Sequence, residues 1–141
     1  MKKLLFFGLI SSLTMFSCGE DREDDTTQQV TLSQKIIGTW TISKKESNGA
    51  IIPAQNPCTN HGNFVFNSDK KLYENYKSNV NGNCVTDTDS HTYTIDENSQ
   101  MITAKNSYGD EMIYTVSNLT DKEMVLTNIE GSDITKYSFT K

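Results

Sequence analysis

Basic charge, proline, histidine and long apolar runs are all scarce in this chain of 141 residues, which has 13 Lys and Arg against 18 Asp and Glu, two Pro and two His. A phosphate backbone is held by clustered cations, and the pairs Lys44/Lys45 and Lys70/Lys71 stand scattered among acids. Those pairs read as solvated strand faces and turns, and nucleic acid is excluded as a partner. Helical periodicity is missing as well: no segment after the N-terminus repeats its apolar residues every three to four positions over a useful length. Nor is there a nucleophile elbow of the Gly-x-Ser-x-Gly type, or a base placed to serve one, so the chain is expected not to be an enzyme and to need no cofactor. Apolar residues make up only 35%, yet Trp40, six Tyr and those of the six Phe that lie beyond residue 17 can fill the interior of one small domain.

The single apolar run lies at the start. Lys2 and Lys3 precede Leu4 to Ile10, the run continues weakly through Leu13 and Met15, and small Ser17 stands before Cys18. This is the pattern of a signal peptide over residues 1–17, too short to span a bilayer of about 30 Å as a retained helix. Met15-Phe16-Ser17-Cys18 resembles a lipobox, with Met15 and Phe16 where that pattern favours Leu and a small residue. The resemblance implies cleavage before Cys18, palmitate or similar chains on its thiol, and a membrane as partner through this N-terminal anchor, each buried CH₂ contributing about 0.8 kcal/mol. The alternative is plain secretion with Cys18 as a free or paired thiol. Removal of Lys2 and Lys3 takes the charge from −5 to −7.

Residues 18–32 open with Gly19-Glu20-Asp21-Arg22-Glu23-Asp24-Asp25 and are expected to form an acidic, disordered tether, because they have too little apolar area to offset chain entropy. The acidic run also looks like an export signal to the outer face of the outer membrane. The expected location is the cell envelope, lipid-anchored in the outer membrane and facing either the periplasm or the cell surface.

From residue 33 to 141 the chain reads as all-β. A short turn at Ser33 to Ile37, with Leu32, Ile36 and Ile37 as an apolar edge, precedes eight segments of alternating pattern: 39–45, 63–67, 71–77, 90–95, 101–104, 112–117, 123–128 and 134–140. Two long loops are expected after the first and third segments. Eight antiparallel strands in sequence match an up-and-down barrel, which has no exposed edge; a two-sheet sandwich is the competing arrangement.

Gly38-Thr39-Trp40, following Ile36-Ile37, resembles the Gly-x-Trp motif at the first strand of the lipocalins, and Phe64-x-Phe66-Asn67-x-Asp69 and Tyr114-x-Val116-x-x-Leu119-Thr120 are similar to patterns of small bacterial lipocalin-like lipoproteins. The resemblance implies a lipocalin-like barrel closed at one end by a helical turn, with Trp40 as its plug. Alternation then nominates as barrel interior or ligand lining Trp40, Ile42, Phe64, Phe66, Tyr76, Tyr93, Ile95, Ile102, Tyr114, Val116, Met124, Leu126, Tyr137 and Phe139.

With Cys18 assigned to lipid, Cys58 and Cys84 remain as an even pair in an oxidising compartment, and a disulfide between the two long loops is expected. Asp87-x-Asp89-x-His91 would share one strand face, with His61 near Cys58 as a further ligand, which makes a weak metal site conceivable; rim solvation is the default and no metal is assigned. Two functions follow. One is a barrel binding a small apolar or amphipathic ligand, and the other a filled, non-enzymatic barrel whose loops touch a protein or glycan partner.

Overall fold

A computed structural model describes residues 30–141. The leader and Cys18 lie outside the described residues, as does most of the tether. The chain order is α1 (Leu32–Lys35), β1 (Gly38–Ser47), β2 (Ala50–Ile52), β3 (Gly62–Phe66), β4 (Lys71–Val80), β5 (Asn83–Asp96), β6 (Met101–Lys105), β7 (Glu111–Leu119), β8 (Glu123–Glu130) and β9 (Asp133–Thr140). From β3 to β9 each strand pairs antiparallel with the next, while β1 pairs with β3 and with β9 and so closes the ring. Eight strands make the barrel, as the alternation predicts, and β2 is a short ninth that folds back on the end of β1.

Two expected loops are partly strand. β1 runs on to Ser47 and turns through Asn48-Gly49 into β2, and β4 and β5 continue as a long hairpin about Asn81-Gly82. Both residues of each pair have positive φ, 49° and 82° in the first and 53° and 81° in the second. That is the two-residue turn whose twist matches paired strands, so residues 78–89, read from sequence as loop, become ladder. The Cys58–Cys84 disulfide is present and joins the segment after β2 to this hairpin, with Cys84 in a strand rather than a loop.

The barrel has a closed and an open end. At the closed end α1 lies across the base, its first amides donating to the Glu97 carboxylate at 2.8 Å from Leu32 and 2.9 Å from Ser33. Leu32 is itself buried in the core, so packing starts one residue before the expected domain boundary. Gly38, at φ 129°, lets the chain turn from this helix into β1 in a conformation that a side chain would strain. Trp40 then enters the base fully buried, its indole N–H donating to the Ile36 carbonyl at 2.7 Å, while Lys141 Nζ sits 4.6 Å from the ring. The open end carries the β1–β2, β4–β5 and β8–β9 turns, the loop before β3 and the loop before β7.

One irregularity decides which side chains enter that open end. The register of β1 against β9 shifts between Ile42 and Lys44. The extra residue of a bulge reverses the alternation beyond it, so Trp40 and Ile42 point inward below and Lys45, opposite the interior Tyr137, points inward above.

Candidate functional site

Every residue nominated as interior is in the core or packed against it. Trp40, Ile42, Phe64, Phe66, Ile102, Met124 and Leu126 have no exposed surface, while Tyr76 and Ile95 are partly buried against the rest. The lower barrel is filled. The Phe64 ring has its centroid 5.1 to 6.5 Å from those of Phe66, Tyr76, Tyr114, Tyr137 and Phe139, in tilted or edge-on contacts typical of a packed core. Aromatics nominated as barrel interior or ligand lining therefore pack on one another. Hollows of about 210 to 470 Å³ lie on the outer wall, at the rim and beside α1; the one of about 470 Å³ includes Met112, Ile113, Asn128 and Ile129.

Above Phe64 the interior turns polar. Glu74, next to Phe64 in the β3–β4 ladder, is 1% exposed. Its two carboxylate oxygens each accept a phenol: Tyr114 O–H donates to Oε1 at 2.7 Å and Tyr76 O–H to Oε2 at 2.8 Å. His91, 7% exposed, brings Nε2 within 3.9 Å of Oε2, and neither ring nitrogen has a hydrogen-bond partner among the described residues. Burial pushes the Glu74 carboxyl above its ordinary value, against the lowering effect of the two phenols and of His91. Burial and the Glu74 charge likewise push Tyr76 and Tyr114 far up, so both phenols stay protonated and act as donors. Higher still, Lys45 Nζ lies 5.7 Å from the Tyr76 ring centroid and 5.5 Å from that of Tyr137.

One sequence expectation is corrected here, and one weak candidate set is not assembled. Lys44 and Lys45 are not a solvated pair: Lys44 pairs outside with Glu46 at 3.1 Å, and Lys45 enters the mouth. The candidate triad Asp87, Asp89 and His91 is not brought together as a metal site. Asp87 and Asp89 are exposed, His91 is buried, and no group of three His, Cys, Asp or Glu able to hold a metal occurs among the described residues, His61 included. Period two puts them in one row, but the row runs from solvent down into the barrel. Glu74 was missed, although the same rule exposes it: it stands between Leu72 and Tyr76, at the inward parity of β4.

A closed eight-stranded antiparallel barrel, with its base covered by a helical turn and plugged by a Gly-x-Trp tryptophan, defines a lipocalin-type fold, which is consistent with binding a small hydrophobic ligand. The profile of the lipocalin-like domain family matches residues 36–126, and the chain belongs to that family. Among solved structures it is similar to a bovine odorant binding protein in a deswapped triple-mutant form, at 13% identity and a TM-score of 0.45, over 76% of this chain and 74% of that one. No curated protein sequence matches it.

Proposed function

We propose that this protein is a non-catalytic, lipid-anchored envelope lipoprotein whose barrel binds one small amphipathic molecule at its open end. The observation that carries the binding reading is the buried cluster of Glu74, Tyr76, Tyr114 and His91 in an otherwise apolar barrel. A buried acid with an unpartnered imidazole beside it costs stability relative to apolar side chains of the same size. A few convergent polar groups over an apolar floor are what fixes the orientation of a small ligand. The filled base confines such a ligand to the upper barrel and favours a short one.

Calorimetric titration of the full chain with short-chain amphiphiles tests this. Saturable binding that weakens in Glu74→Gln is expected; no heat from any member of a broad panel overturns it. The anchor is supported by the lipobox-like Met15 to Cys18 run alone, and mass spectrometry of the mature N-terminus should show an acylated Cys18. An unmodified Cys18, or an intact leader, overturns that part.

A second reading has one observation in its favour. Ile113, Ile129 and Ile134 are 44, 62 and 45% exposed on the outer face of three successive strands near the rim, with Ile129 and Ile134 directly paired. An interaction lipoprotein with a protein or glycan partner would use such a patch. Loss of a captured partner on Ile129→Ser, with ligand binding unchanged, supports that alternative.

A further inference from the structure

We propose that the polar group of the ligand is a primary ammonium on a short alkyl chain, and that Lys45 holds its place in the free barrel. This rests on the binding reading above and specifies its chemistry. The lysine side chain is a butylammonium, and the bulge after Ile42 lays it into the mouth across the rings of Tyr76 and Tyr137. Lys45 forms no ion pair among the described residues, so what holds the cation there is the pair of aromatic faces. Tyr76 also donates its phenol proton to Glu74, which makes its ring a better partner for positive charge.

Beneath those rings the free valences suit a donor. Glu74 is an acceptor with lone pairs to spare after two phenols, and His91 has two open nitrogens, one of them 3.9 Å from the same carboxylate oxygen. An ammonium supplies three donors and no acceptor, which matches the spare lone pairs of the Glu74 carboxylate and the one unprotonated nitrogen of a neutral His91 ring. Its charge offsets the cost of burying Glu74, whereas an entering carboxylate adds to that cost and an alcohol gains nothing from the rings.

The test uses the full chain and three probes of equal length: n-hexylamine, 1-hexanol and hexanoate. Hexylamine is expected to bind about tenfold more tightly than either of the others. Lys45→Ala empties the place of a butylammonium, so n-butylamine should bind that variant about tenfold more tightly than the parent chain, and the gain should vanish in the Lys45→Ala, Glu74→Gln double variant. Cooperative melting of each variant checks that it folds, and the three-probe comparison on the parent chain needs no variant. If hexanol or hexanoate binds as well as the amine, the ammonium proposal falls while the binding reading stands. If butylamine binds both chains alike, the placeholder role of Lys45 falls. If no probe binds the parent chain or Lys45→Ala, both proposals fall.

Discussion

Glu74 is the residue at which the requirements of the fold and of a site diverge. Its carboxyl titrates above the ordinary 4.5 because burial disfavours the charge. Between 4.5 and that raised value the folded chain holds a proton that the unfolded chain has released, so stability falls as pH rises through this window. Glu97 has the opposite sign. The Ser33 hydroxyl and the amides of Ser33 and Leu32 hold its carboxyl below 4.5, and its contribution is lost as pH drops below that value. The melting temperature of the parent chain should therefore exceed its neutral-pH value near pH 5 by more than that of Glu74→Gln does. Equal pH profiles for the two chains would show that Glu74 is not titrating from a desolvated position. Trp40→Ala, which removes the plug and its bond to Ile36, should cost about 3–5 kcal/mol in denaturant unfolding.

Elements are joined by a few long-range devices. Glu97, in the turn between β5 and β6, satisfies the first two amides of α1, and these have no partner within the helix. Glu97→Ala should cost about 1 kcal/mol and raise amide exchange at Leu32 and Ser33 without altering exchange in β8. The Cys58–Cys84 bond spans a sequence separation of 26 and ties the segment before β3 to the β4–β5 hairpin, which further binds it through Asn79 N–H donating to Gln55 Oε1 at 2.9 Å. Chain entropy in the unfolded state gives this bond a stabilisation of about 3.5 kcal/mol, so reduction should lower unfolding stability by up to that amount. The hairpin itself was readable, since Asn-Gly between alternating segments is a turn signal; residues 83–90, polar and exposed apart from Cys84 and Val85, hid the strand because a hairpin standing clear of the barrel has no continuous apolar face to display.

Across the whole molecule, the barrel is packed below and polar above. Because Trp40 lies opposite Phe64 in the β1–β3 ladder and Glu74 lies on the far side of Phe64, a ligand held at Glu74 should leave the emission of this lone tryptophan nearly unchanged, while a ligand that reaches the base must displace the Phe64 ring and shift it. Tryptophan fluorescence during a titration whose binding is followed by calorimetry separates the two depths. The same packing explains why interior positions were so legible and the site was not. Phe64, Phe66, Ile102, Tyr114, Met124, Leu126, Tyr137 and Phe139 repeat at period two and all point inward, whereas Glu74 and His91 share that parity but carry the polarity expected of an outer face.

The order of strands, their inward parity and the pairing of Cys58 with Cys84 followed from the chain alone, since alternation, turn chemistry and cysteine number are properties of neighbouring residues or of composition. Closure of β1 on β9, the bulge that sends Lys45 inward, and the meeting of Glu74 with Tyr114 forty positions away belong to the folded barrel. Such contacts cross the interior between strands far apart in sequence, and a one-residue shift in register exchanges inside for outside without altering any local pattern that the sequence displays.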